Sequence, residues 1–436
     1  MLWVCIGLVS IALYFANTMT YELRASDNRV SGIQADQAIE GAARYVSLAL
    51  LTFATNGAVP DSTEFKCEAV SVGDAKFWLI GRDPEGNDSA EPYFGLVDEG
   101  AKLSLNNAST NVLEYLPNMT VDFSDAIMDW RGTNGTVTLN YDSLGYAPKY
   151  APFETVDELR LVYGATIDML AGEDLNRNGI LDKNEKDLNS SGQLDPGLFE
   201  YTPVYSREPN YHADGTSLTN VNTASESQLR SLFQDAGTAN ATRMAQQLYR
   251  SIHPNSNNPN TVNNCNGTLD LALRCKNAGM DSDDFGKIEG DLTTSTNTYF
   301  RGRVNVKTAG VDVLTALFMG AGSDEQTALS AAQTMISYRE QNPGNLGSIA
   351  WMIDALGNNS QVITALARRN DVTNRSYQFT ADIAAVGPFG RGYRRVKFIF
   401  DVSDGTPKIL YRQDLSRLGW ALGDKVREDL AANNTQ

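Results

Sequence analysis

MLWVCIGLVSIALYFA (residues 1–16) carries no charged side chain, and the stretch after it, NTMTYELRASDNRVSGIQADQAIEGAARYVSLALLTFA (17–54), contains no proline. In the second stretch, apolar residues recur at helical spacing: Ala35, then Ala38 and Ile39, Ala42 and Ala43, Val46, Leu50. Gly32 and Gly41 each cost a helix interior about 1 kcal/mol without forbidding it. The two stretches therefore read as one helix of about 50 residues, ~75 Å long at 1.5 Å per residue. Its first third is apolar all round and the rest amphipathic. The apolar run is slightly short for a ~30 Å hydrocarbon core, and no basic segment precedes it as in a secretory signal. A cleaved signal followed by an unrelated helix is the competing reading. The preferred one is a single-pass anchor that runs without a break into a packed helix.

Beyond the helix, AKFWLIGR (75–82) and EPYFGLV (91–97) are β-rich and flank the turn-rich DPEGNDSA, which predicts a hairpin. The next convincing strands lie near the C-terminus, at Tyr377–Val386, Arg394–Asp401 and Lys408–Tyr411, and form an antiparallel meander. The fold class is α+β: a long helix and a small antiparallel sheet, interrupted by a large, mostly helical insertion. The chain divides into a transmembrane part (1–17), a helix and hairpin (18–100), the insertion (101–373) and the C-terminal strands (374–436).

The insertion repeats itself. AKLSLNNASTNVLEYL (101–116), SLTNVNTASESQLRSL (217–232) and GRVNVKTAGVDVLTAL (302–317) align on Asn107, Thr223 and Thr308. Two residues earlier stand Leu105, Val221 and Val306; six later, Leu113, Leu229 and Leu314; nine later, Leu116, Leu232 and Leu317. Each unit reads as an extended entry, an N-cap and an amphipathic helix. Thr223 with Glu226 and Thr155 with Glu158 are candidate capping boxes. The spacing of the units is unequal, so they are not a solenoid.

One motif carries specific chemistry. In DLNRNGILDKNE (174–185), Asp174, Asn176, Asn178, Asp182 and Glu185 take positions 1, 3, 5, 9 and 12 of an EF-hand loop. Gly179 falls at the sharp turn, and Ile180 supplies a backbone carbonyl. A hard cation takes six to eight oxygens, and this loop offers them, so one calcium is expected. A second, weaker loop follows: Asp187, Asn189, Ser191, Gly192 and Asp195, with Leu198 where a glutamate would complete it. A structural role for the ion, tying down clustered carboxylates, is expected over a catalytic one.

The 36 Lys+Arg against 53 Asp+Glu leave a net charge of −17, which argues against a nucleic-acid backbone as partner. With His212 and His253 as the only histidines, and no GxSxG, Walker or HExxH pattern, no enzyme is predicted.

The stretch LWVCIGLVSIALYFANTMTYELRASDNRV (2–30) resembles the start of type IV pilin-like subunits, in particular the K-type (GspK-like) minor pseudopilins of type II secretion systems. PFETVDELRLVYG (152–164), the calcium loop, the repeated NVNTA-type units and the C-terminal meander extend the resemblance along the chain in the same order. It implies a pilin-like fold whose helical insertion binds calcium. It also implies a non-enzymatic subunit at the pseudopilus tip, seated on I- and J-type minor pseudopilins, priming assembly, capping the filament and lying near the exported substrate. The N-terminus would be cytoplasmic, the anchor in the inner membrane and the bulk periplasmic. The family has a basic leader ending in glycine, so an upstream in-frame extension is expected. The family's K subunit also lacks the early helix glutamate of other pilins, and no acidic residue precedes Glu22 here.

The N-V-N/K-T-A entries resemble helix-hairpin-helix (SAM-like) modules as well. The third, VNVKTAGVDVLTAL (304–317), leads through Gly320-Ala321-Gly322 to SIAWMIDALG (348–357). A membrane-anchored DNA-uptake protein is thus one alternative, opposed by Ser323, Asp324 and Glu325 after the hairpin, where acidic groups repel phosphate. A calcium-dependent extracytoplasmic enzyme is the other. In an oxidising periplasm, Cys265 and Cys275 are expected to form a disulfide, worth ~3 kcal/mol in the entropic model. Cys67 is expected to be buried and unpaired.

Overall fold

The computed structural model describes residues 2–83, 91–133, 141–254 and 262–433. The opening stretch is one helix, Leu2–Phe53, of 52 residues. Its character changes at Ser31. Up to Val30 nearly every side chain is exposed, whereas Ala35, Ala38, Ile39, Ala42, Ala43, Val46 and Leu50 are all buried, the set picked out by the periodicity. The change coincides with a backbone contact. A Cβ on Gly392, which has φ +71°, would lie 2.4 Å from the carbonyl carbon of Ser31. Only glycine lets the strand turn approach the helix this closely.

The helix lies on an antiparallel sheet of six strands: β1 (Val70–Val72), β2 (Ala75–Ile80), β3 (Val97–Asp98), β4 (Gln378–Gly387), β5 (Arg391–Asp401) and β6 (Lys408–Asp414). The order is β1-β2-β4-β5-β6, with β3 pairing to β4 past the end of β2. Leu79 faces Ile383 and Phe398 faces Ala381 in register. The C-terminal meander therefore matches the expected strands, with β5 starting at Arg391 and β6 running on to Asp414.

The expected hairpin forms only in part. β1 covers the first half of β2, an edge no sequence signal marked. Beyond it, Gly81 N donates to Tyr93 O at 2.8 Å and Gly95 N donates to Leu79 O at 2.9 Å. Of residues 91–97, only this bridge and the first residue of β3 join the sheet, because most of β2's other edge is taken by β4. Most of the connecting loop, residues 84–90, lies outside the described residues.

Side chains alternate between the faces of the sheet. Phe77, Leu79, Phe379, Ala381, Ile383, Phe398 and Phe400 meet the long helix. Trp78, Ile80, Ala384 and Val386 meet Ala421, Leu422 and Val426 around the C-terminal helix Gly423–Asn433. Covered on both sides, β4 is buried along its whole length.

Between β3 and β4 the helical units repeat as structure. Leu105, Val221, Val306, Leu113, Leu229 and Leu314 are each 0% exposed. Each entry also pairs in parallel with a later segment of chain: Leu103 and Leu105 N donate to Tyr201 and Pro203 O, Thr219 and Val221 N to Asp291 and Thr293 O, Val304 and Val306 N to Asp371 and Thr373 O. Arg131 donates to the carbonyls of Leu105 and Ala108, and Arg339 to those of Val306 and Ala309, the aligned positions. The turns at Gly237 and Gly322, with φ of +68° and +103°, close the helices Glu226–Asp235 and Val311–Gly320 with the same hydrogen bonds. One capping box is displaced. Thr223 N is held by Asn220 O, so the helix starts later and the box forms between Ser225 and Gln228. At Thr155, Glu158 Oε1 accepts from the Thr155 N–H at 3.0 Å as expected, opening a 3₁₀ turn, Val156–Leu161.

Candidate metal centre

The short helix Ile167–Ala171, capped by Thr166, stops at Gly172 with φ +61°. There the chain pairs with its own continuation: Glu173 N donates to Asp195 O at 3.0 Å and Gly197 N to Ala171 O at 3.0 Å. This stem closes residues 174–195 into two consecutive loops. A Cβ on Gly172 would come within 2.3 Å of Asp195 O, so the closure requires glycine.

In the first loop, Asp174 Oδ1 accepts from Asn178 N and its Oδ2 from Gly179 N, each at 2.9 Å. Asn176 Oδ1 accepts from Asn178 N at 3.0 Å, and Asn178 Oδ1 from Ile180 N at 3.1 Å. Gly179 turns with φ +83°. Glu185 reaches back across the loop, its Oε1 accepting from Asn176 N at 3.1 Å and its Oε2 from Asp182 N at 3.0 Å. The structure thus brings Asp174, Asn176, Asn178, Asp182 and Glu185 together, with Ile180 buried beside them.

The second loop repeats this pattern thirteen residues on. Ser191 N donates to Asp187 Oδ1 at 3.1 Å and Asn189 Oδ1 at 2.8 Å, Gly192 N to Asp187 Oδ2 at 2.8 Å, and Gln193 N to Ser191 Oγ at 3.1 Å. Asn189 Nδ2 meets Asp195 Oδ2 as Asn176 Nδ2 meets Asp182 Oδ2. At position 12 stands Leu198, fully buried in the core and turned to another task. The missing carboxylate comes from the other end of the motif. Glu173, 3% exposed, accepts from Leu188 N at 2.6 Å and Asp195 N at 3.0 Å, bracing the second loop as Glu185 braces the first. No linear spacing reveals this. The only signal is an acidic residue directly before the complete first loop, a full loop ahead of the one that lacks its last ligand.

The first loop is bolted to the sheet. Arg395 of β5, 0% exposed, holds Asp382 at 2.6 Å and donates to the carbonyls of Asn176 and Arg177. Arg177 pairs with Asp157 at 2.7 Å, and Arg82 with Glu200 at 2.8 Å. Asn176 Nδ2 donates to Trp420 O at 3.2 Å, and Lys183 pairs with Asp424 at 2.6 Å.

Burial pushes the Asp174 carboxyl above its ordinary range despite the nearby Arg82, and burial does the same to Glu185. Asp157 goes the other way. Burial would raise it, but the hydrogen bond and charge of Arg177 bring it down to about 2. Among the described residues, no group of three or more His, Cys, Asp or Glu is arranged to hold a metal by those side chains alone. The donor set instead mixes carboxylates with amide, hydroxyl and backbone oxygens, which is calcium chemistry rather than that of zinc. Two carboxylates raised by burial inside a ring of oxygens fit a hard cation.

All four cysteines are free thiols in the structure, so the expected Cys265–Cys275 bond is not formed there. Both sulfurs are buried in the insertion core, and burial pushes Cys265 up to about 12. Cys67 is buried and Cys5 exposed. Asp324 accepts from Thr327 N at 3.0 Å and caps the helix Glu325–Gln341, which puts a carboxylate just after the Gly322 turn.

The Leu2–Phe53 helix contains the one span among the described residues that is long and apolar enough to cross a membrane. No family model matches the chain, and no curated protein matches it. Among solved structures, it is similar to a chain of the GspK-GspI-GspJ complex from the type 2 secretion system of enterotoxigenic Escherichia coli. The identity is 13%, the match covers 48% of this chain and 78% of that one, and the TM-score is 0.19, too low to carry an argument.

Proposed function

We propose that this chain is a minor pseudopilin at the tip of a type II secretion pseudopilus, which primes assembly and caps the filament for protein export across the outer membrane. The observation that carries this reading is the layout of the long helix. One unbroken helix is apolar at its start, then packs its second half on a small antiparallel sheet that is split by a large helical insertion. A helix half in lipid and half in a head offers its exposed flank, with Val30, Ile33, Leu48 and Leu51, to neighbouring helices of a filament. The bulk of the insertion would block further subunits above it. The N-terminus would be cytoplasmic, the head periplasmic and close to the exported substrate, and the helical units SAM-like packing modules.

In this reading Asp174, Asn176, Asn178, the Ile180 carbonyl, Asp182 and Glu185 hold one calcium ion. Asp187, Asn189, Ser191, Asp195 and Glu173 hold a second. A hard cation in such a loop accepts six to eight oxygens and offsets the buried carboxylates. The residues do the positioning: Arg395 fixes the backbone of the first loop, and Glu173 joins the second loop to the first.

The test is co-purification of the full chain in detergent and calcium with I- and J-type minor pseudopilins. A stoichiometric three-way complex is expected, and its absence sinks the tip role. Tight DNA binding in a low-salt mobility-shift assay would favour the uptake reading instead, against the acidic cap at Asp324.

A further inference from the structure

Where the insertion meets the sheet, the structure encloses a cavity of about 60 Å³. That is room for a few waters, at roughly 10–15 Å³ of occupied volume each. Arg82, Lys102, Arg177 and Lys397 line it, together with Asp157, Asp174, Glu200 and Asp382. The charges balance in number but not in pairing. Arg82 takes Glu200 at 2.8 Å and approaches Asp174 at 4.0 Å, and Arg177 takes Asp157 at 2.7 Å. Asp382 is held from outside the lining by Arg395 at 2.6 Å. Every carboxylate facing the cavity therefore has a guanidinium, and the two lysines are left over.

Among the described residues, the side-chain ammonium of neither Lys102 nor Lys397 has a hydrogen-bond or ion-pair partner. Lys102 is 9% exposed, and Lys397 is partly buried. Lys102 and Lys397 act on each other as like charges, with Glu99 the leading opposing acid to Lys397. Glu99 accepts from Thr380 Oγ1 at 2.7 Å and forms no ion pair with either lysine. An ammonium carries three donors and no acceptor, and burying two together with no carboxylate oxygen of the described residues within 4.0 Å of either is costly.

We propose that this cavity is an anion site, and that Lys102 and Lys397 hold a small tetrahedral oxyanion of the sulfate or phosphate class between them. The bound anion would join the start of the insertion to β5, beside the first calcium loop. The inference goes beyond the secretion reading and does not depend on it.

The probe is sulfate, whose calcium salt is far more soluble than that of phosphate, with calcium kept low enough to avoid precipitation. The melting midpoint of the full chain in detergent is titrated with sodium sulfate against sodium chloride at equal ionic strength, once in calcium and once in chelator. A saturable rise with sulfate above the chloride control is expected. Lys102→Met and Lys397→Met, on separate elements so that one reads out if the other fails to fold, should each weaken the apparent affinity at least tenfold. Equal responses to sulfate and chloride, or a sulfate response that the folded variants keep, would overturn the site.

Discussion

Strand β4 shows Phe379, Ala381, Ile383 and Ala385 to the long helix, and Thr380 and Asp382 to the insertion. The two faces of one strand are sealed by different physics. On the helix side, close-packed alanines, isoleucines and phenylalanines exclude water without a single partner requirement. On the insertion side, Asp382, Arg395, Arg82, Glu200 and Asp157 are buried or half-buried, and each depends on specific charged partners. The apolar face should tolerate small changes of shape. The polar face should fail when one member is removed and recover when its partner goes too.

The largest effect expected is at Arg395. Arg395→Met leaves Asp382 charged, buried and alone, and should cost about 3–5 kcal/mol in urea unfolding. Adding Asp382→Leu should recover most of that loss, which a merely bulky role for Arg395 would not predict. Arg395→Lys should remain damaging, because a compact ammonium lacks the planar fork that spreads over the carboxylate and both loop carbonyls.

Next is a pH effect inside the insertion. Burial raises Glu289 to about 7, although Arg375 pulls the other way. A carboxyl raised on folding adds stability in full below its ordinary value near 4.3 and loses it as pH climbs through the folded value. Stability should therefore fall between about pH 4.5 and 7. Glu289→Gln should flatten that slope in melting curves measured across the window; an unchanged slope would remove Glu289 as its source.

The smallest effect is on the apolar face, where Ile39→Val should cost only about 0.5–1.5 kcal/mol in the same urea titration. A loss as large as that of Arg395→Met would erase the contrast between the faces.

The same contrast governs what could be read without coordinates. The buried stripe from Ala35 to Leu50 follows from a local period, so every member but Ala49 could be named. The repeated leucines follow from comparing three stretches of chain. Partnership across space has no such record. β2 finds β4 some three hundred residues later, which is why the expected hairpin was only half right. Arg395 and Asp382, thirteen residues apart on neighbouring strands, pass for ordinary surface charges in a linear text. The first loop was legible because all its oxygens lie within twelve residues. The loop at 187–195 reads as incomplete because the carboxylate that braces it, Glu173, precedes it in the chain by more than a full loop.

The central claim is that the insertion is fastened to the polar face through the first of two paired loops, each proposed to hold a cation. Counting calcium bound to the full chain, by titration calorimetry with native mass spectrometry, tests it most directly. The prediction is two ions per chain, falling to one in Glu173→Gln and to one in Glu185→Gln. A single ion unaffected by Glu173→Gln would contradict the pairing of the loops, and none at all would contradict the metal centre itself.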